Sequence, residues 1–170
     1  MSTSKHEELN EAVDIFKRSI IDDSINLDFS VESVKHIDLI LNLAFENGKL
    51  KKSNNAFAKH MGVMMLGMSG YLTEVILKHT HNSKLLIDEQ DKEWYTNFRV
   101  TSDNGWTIQP AIRVMKRAYH GSEAELYAYT QSTIKYFKQP RTAIAESTYI
   151  QEVHVKEEPK EKKSWWKFWL

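Results

Sequence analysis

Glu74 stands at the end of the most apolar stretch of the chain, after Met61 to Thr73. Burial raises a carboxyl pKa, which is how proteins prepare a general acid or base. A buried carboxylate left ionised needs a cation instead. Arg113, Lys116 and Arg117 are in supply, so the expectation is a structural ion pair from Glu74 to that basic run. Plain solvent exposure is a second reading, and a catalytic role is the weakest, because no nucleophile motif, glycine-rich phosphate loop or second paired carboxylate accompanies Glu74. His79 and His81 form the only close histidine pair. Residues two apart on a helix face away from each other, so the two imidazoles could share a metal only on extended backbone. They are weak metal candidates, no H-E-x-x-H supports them, and no cofactor is expected. The third chemistry is interfacial. Lys162, Lys163, Trp165, Trp166, Lys167, Phe168 and Trp169 gather three of the five tryptophans with three lysines. Such a segment suits a membrane-water boundary, a partner's groove, or the chain's own domain.

The elements that must position these residues are read from periodicity. Leu9, Val13, Phe16 and Ile20 make one stripe, predicting a helix over 7–21. Ser30 is placed to cap a second helix, with Phe29 and Val34 as its hydrophobic staple, and Asn47-Gly48 as its stop. A third helix over 56–78 is apolar nearly all round, so it belongs inside. Gly62, Gly67 and Gly70 each cost that helix about 1 kcal/mol against alanine. Close approach of a neighbouring backbone would offset the cost.

Beyond position 78 the pattern becomes extended. The segments 84–88, 94–101 and 106–109 predict a small antiparallel sheet of about three strands, with Ser102-Asp103-Asn104-Gly105 as a hairpin turn. Pro110 suits the first turn of a helix that Gly121 stops. Ser122 and Glu125 have the spacing of a capping box for a last helix, ended before Pro140. The expected architecture is α+β: a helical N-terminal half, the small sheet and two further helices over 1–140. An edge strand or extension follows at 141–155. A charged spacer and tryptophan-rich tail, expected to be disordered, occupy 156–170.

The 170 residues carry 23 basic and 23 acidic side chains and no cysteine. Without cysteine there is no disulfide scaffold or thiol chemistry, which fits a reducing compartment. Zero net charge argues against a nucleic-acid partner, whose phosphates call for a basic surplus. The charge is unevenly divided: residues 1–50 hold five basic and ten acidic groups, and residues 51–170 hold 18 and 13. The start of the chain lacks the pattern of a secretory signal. Residues 61–73 would span about 20 Å as a helix, short of a bilayer core.

Gly70-Tyr71-Leu72-Thr73-Glu74-Val75, then Trp94, Ile108, Pro110, Arg113-Val114-Met115-Lys116-Arg117 and Gly121, carry a likeness. The sequence resembles a loosely defined group of small bacterial proteins of uncharacterised function with a G-x-Y-L-x-E-V helix, a tryptophan-bearing strand and a V-x-K-R helix. The resemblance implies the α+β order and a cytoplasmic setting, and no activity. The functional expectation is a non-catalytic bacterial interaction protein with a protein partner, in an immunity, toxin-neutralising or counter-defence role. Two alternatives stay open: an adaptor held at the inner face of the membrane by its tail, meeting lipid or a membrane protein, and a small enzyme using Glu74.

Overall fold

The computed structural model describes residues 3–20, 22–51 and 55–140. The expected edge strand at 141–155, the spacer and the tail at 156–170 lie outside the described residues. Within them the architecture is α+β, as the periodicity predicts, with the helices gathered around one long apolar helix.

Helix α1 spans Lys5–Ser19, starting two residues earlier than its stripe predicts. Ser4 closes a capping box there: its Oγ accepts the Glu7 N–H at 3.3 Å, and the Glu7 carboxylate accepts the Ser4 N–H at 2.8 Å. The predicted third helix is two. Helix α3, Asn55–Lys59, ends at His60, whose backbone (φ −121°, ψ 21°) leaves the helical region. Its N–H turns back to the Phe57 carbonyl three residues earlier. Helix α4, Met61–His79, then runs through the core with Met68, Leu72, Val75 and Ile76 fully buried. Each such side chain contributes about 1.5 to 3 kcal/mol relative to exposure.

Glycines bring α1 and α4 together. A methyl group at Gly67 would collide with the Ala12 carbonyl oxygen and lie 2.5 Å from Phe16 Cβ. At Gly70 it would lie 2.5 Å from Val13 Cγ2 and 3.0 Å from Leu9 Cδ1. The order of these contacts shows that the two helices run antiparallel.

The segment before the next helix is tied to α4 through Tyr71. Its hydroxyl accepts the Phe29 N–H at 2.8 Å and shares a 2.6 Å hydrogen bond with Ser33 Oγ. The Phe29 ring stacks on Tyr71 at 4.6 Å and packs against the cluster that includes Val34. The stacking also holds Phe29 at φ 61°, a left-handed conformation that is uncommon outside glycine. Ser30 Oγ accepts the Ser33 N–H at 3.1 Å, the predicted capping bond, but the first turn is tight and regular α2 covers Val34–Ala44.

Asn47-Gly48 is a hairpin turn and not a helix stop. Strands β1, Phe45–Glu46, and β2, Lys49–Leu50, pair across it, with Asn47 at φ 50° and Gly48 at φ 72°. Two successive positive φ values suit the right-handed twist of paired strands, and Asn-Gly is the dipeptide that adopts them most easily.

The second sheet has three antiparallel strands in chain order: β3 Ser83–Leu86, β4 Arg99–Ser102 and β5 Thr107–Ile108. The predicted turn joins the last two, with Gly105 at φ 94°. The first half of the predicted strand 94–101 is instead a helical turn, α5 Trp94–Asn97, which places Trp94 beside Leu9, Phe98 and Ala111 in a second apolar cluster. Helix α6, Pro110–His120, has proline at its start and Gly121 at φ 66° at its end. A short 3-10 turn, Gly121–Ala124, leads to α7, Leu126–Phe137.

Gly67→Ala sets alanine's helix preference, about 1 kcal/mol, against overpacking that costs about 1 to 3 kcal/mol. The obstacle is the Ala12 main chain, so a net loss is expected. At Gly70 the obstacles are side-chain ends that can rotate, and Gly70→Ala should cost less. Urea midpoints of the two variants check this order, and equal or raised midpoints would show that the helices separate at little cost.

Candidate functional site

Arg117, expected opposite Glu74, is taken by another carboxylate. Asp38 lies on the inward face of α2, one turn after Val34, and is 6% exposed; Arg117, on α6, is 2% exposed. Arg117 Nε donates to Asp38 Oδ1 at 2.6 Å, and its Nη2 donates to Asn42 Oδ1 at 2.7 Å. The same carboxylate accepts the Leu126 N–H at 3.0 and 3.1 Å and the Tyr127 N–H at 3.0 Å. Asp38 therefore caps α7 from another helix, where partial positive charge favours an anion. The predicted Ser122 and Glu125 box is not used: α7 begins after Glu125 with no side-chain cap of its own. A carboxylate inside an apolar stripe was visible at Asp38, between Ile37 and Leu39-Ile40-Leu41, as plainly as at Glu74.

Glu74 has no hydrogen bond or ion pair among the described residues. It is half-buried, and desolvation raises its pKa above the ordinary glutamate value. The expected ion pair is thus corrected at each proposed partner. Arg117 is held by Asp38. Lys116 is exposed. Arg113 lies over the Tyr129 ring at 4.5 Å and reaches the Glu125 carbonyl at 3.4 Å. Burial lowers the Arg113 pKa below its usual value, and its Nε is buried without a hydrogen-bond partner.

His79 closes α4, and its Nε2–H donates to the Phe29 carbonyl at 3.2 Å. That nitrogen is a donor and offers no lone pair to a metal. His81 lies beyond the helix end and is exposed. Among the described residues no group of three or more histidine, aspartate or glutamate side chains is placed to hold a metal ion. Lys162, Lys163, Trp165, Trp166, Lys167, Phe168 and Trp169 lie outside the described residues.

Two of the clefts formed by the described residues are open to ligands. One, of about 440 Å³, lies between the 102–105 turn and the end of α7, and is lined by His81, Asn82, Asp103, Asn104 and Lys138. Its amide is already committed, because Asn104 Nδ2 donates to the Tyr136, Phe137 and Gln139 carbonyls that end α7. The other, of about 430 Å³, lies between α1, α4 and α5. Its floor is Ala12, Ile15, Val63, Leu66 and Trp94, and its rim carries Glu8 and Glu11. Glu8, Glu11, Ala12 and Ile15 follow helical spacing on one face of α1, so this helix supplies the acidic rim and its own side of the apolar floor, which α4 and α5 complete. Both glutamates are exposed, and Asp14 extends the acidic edge by a turn. An apolar floor with a few charges at its edge is the usual composition of a binding cleft.

No family model, curated protein or solved structure matches the chain.

Asp38→Asn removes the charge that Arg117 needs, and should destabilise the protein by about 3 to 5 kcal/mol in chemical denaturation. Replacing both partners, as Asp38→Leu with Arg117→Met, should recover much of the loss and leave the missing α7 cap, about 1 kcal/mol. If the double variant is no better than the single, the ion pair itself is not what Asp38 supplies.

Glu74→Gln should stabilise the protein at neutral pH. The folded state raises the Glu74 pKa, so ionisation opposes folding as pH rises from the ordinary glutamate range through the raised value, and has no effect below both. Melting temperatures should therefore favour Glu74→Gln at pH 7 and converge with the parent in acid. A variant less stable at pH 7 would reveal a cation that Glu74 needs.

Proposed function

We propose that this protein is a non-catalytic interaction protein that receives a basic, aromatic or aliphatic segment of a protein partner in the α1, α4 and α5 cleft. The observation that carries the reading is the alignment of Glu8 and Glu11 above Ala12 and Ile15, facing Val63, Leu66 and Trp94. An apolar anchor gains from leaving water on that floor, at about 25 cal/mol per Å² buried. Lysine or arginine beside the anchor meets the rim, and so sets specificity and encounter rate more than affinity. The acidic surplus of the first fifty residues points the same way. Leu39 and Leu43, one turn apart on α2 and 46% and 60% exposed, supply a second apolar surface for a partner of some size. A domain that covers a basic partner in this manner suits an immunity, toxin-neutralising or counter-defence role in a bacterial cytoplasm.

A second reading, attachment at the inner face of a membrane, is favoured by the lysines and tryptophans at 162–169. No helix among the described residues is long and apolar enough to cross a membrane.

Titration with a synthetic peptide alternating lysine with tryptophan and leucine, followed by amide NMR, tests the first reading. Shifts should concentrate at Ala12, Ile15, Val63, Leu66 and Trp94. Glu8→Lys with Glu11→Lys should weaken binding about tenfold, since two rim charges contribute up to about 1 kcal/mol each, and should leave the melting temperature unchanged. Equal binding of an acid-for-lysine peptide would refute it.

A further inference from the structure

The cleft has a candidate occupant within the same chain. Segment 162–170 contains three lysines and no acidic residue, together with three tryptophans and a phenylalanine. Four aromatic side chains in five positions are costly to leave in water, and each holds a large area for burial. The cleft offers the complementary surface, with an apolar floor that ends in Trp94 and a rim of Glu8 and Glu11. The overall charge division repeats the match: net minus five over residues 1–50 and net plus five over residues 51–170.

Length permits the contact. Described structure ends at Pro140, and residues 141–161 intervene before Lys162. At about 3.3 to 3.6 Å per residue they can span roughly 70 Å. A domain of this size has a radius of gyration of about 14 Å, so every face lies within reach. The tether makes docking intramolecular, with an effective concentration in the millimolar range for short flexible links. Modest intrinsic affinity then suffices for occupancy.

We infer that segment 162–170 of this chain docks in its own α1, α4 and α5 cleft and must be displaced by a partner. The inference rests on the binding reading of that cleft and adds an intramolecular competitor to it. A partner therefore binds against its own mimic. Association should be weaker and slower for the full chain than for a chain whose tail cannot dock, because apparent affinity falls with the fraction of cleft left open.

The absence of native cysteine allows a direct test in the full-length protein. Asp14→Cys places a thiol beside the rim, and Ser164→Cys places one in the tail. Mild oxidation should produce an intramolecular disulfide, seen as a faster-migrating monomer band. A control with Ser132→Cys on α7 in place of Asp14→Cys should cross-link at least tenfold less. Glu8→Lys with Glu11→Lys should reduce the cross-link about tenfold, and adding Lys162→Glu, Lys163→Glu and Lys167→Glu should restore it. Circular dichroism melts of each variant establish that the fold is kept.

A synthetic peptide of residues 160–170, added to a chain carrying Trp165→Ala, Trp166→Ala and Trp169→Ala, separates the two readings. Peptide binding at the cleft without the intramolecular cross-link would overturn self-docking and leave the binding reading standing. Loss of both would overturn both. A cross-link that joins two copies and fades on dilution would overturn the intramolecular contact. So would absence of the cross-link in a protein that co-sediments with vesicles of phosphatidylcholine and phosphatidylserine.

Discussion

The carboxylate of Asp38 is the interaction on which the arrangement of the helices depends. It belongs to α2, neutralises a guanidinium on α6 and caps the first amides of α7. Three elements distant in sequence thus converge on one pair of oxygen atoms. Hydrophobic contact is tolerant of small shifts, whereas charge-assisted hydrogen bonds at 2.6 to 3.1 Å are not. The apolar core supplies most of the driving force, and Asp38 adds a directional contact that ties α2 to α6 and α7. The cost is desolvation of two charges, which the N-terminal amides of α7 and the Asn42 side-chain oxygen offset by satisfying the remaining lone pairs and protons.

Around that centre, α4 imposes a different constraint. It is apolar on nearly every side and must be enclosed, but only two of its turns lack side chains where α1 crosses. Gly67 and Gly70 let the α1 backbone approach at Ala12 and the α1 side chains at Leu9 and Val13. Close approach turns the inward side chains of α1 fully into the core. It leaves Ile15, Val63 and Leu66 half-covered along the edge of the contact, where α5 forms the third wall. The cleft lies beside the glycine contact, on the shoulder between α1 and α4.

Periodicity carried the helices, the enclosed position of α4, the glycine approach, the three-stranded sheet and the turn at Gly105. What it missed has a common cause, which is that local signals compete with distant ones. Ser122 and Glu125 have capping-box spacing, yet a buried carboxylate 88 residues away in sequence from Leu126 takes the amides. Asn47-Gly48 ends helices and also turns hairpins; only the pairing of Phe45 with Leu50 decides. Trp94 reads as a strand residue until the cluster of Leu9, Phe98 and Ala111 draws its segment into a helical turn. At the candidate site, the acidic bias of the first helices was legible, but the cleft required knowledge of which face of α1 meets α4. Glu74 and Asp38 are both carboxylates in apolar company, and Asp38 is the more deeply enclosed of the two.

The two carboxylates show how one chemical setting leads to opposite outcomes. Asp38 is enclosed with a guanidinium and backbone amides aimed at it, so its charge is part of the fold. Glu74 is half-buried with no cation paired to it among the described residues, so its neutral form is favoured relative to an exposed glutamate. Arg117 is held by Asp38, and the α7 N-terminus adds its partial positive charge on the same side. With Asp38 and Arg117 cancelling inside, the interior contributes no net charge from this pair. Asp38 is one of the ten acidic residues of the first fifty, and the other nine are exposed, among them Glu7, Glu8, Glu11 and Asp14 of α1. α1 carries Lys5, Lys17 and Arg18 as well as its four carboxylates, so the acidic character of the cleft is local: it comes from Glu8 and Glu11 at the rim, with no basic side chain among the lining residues.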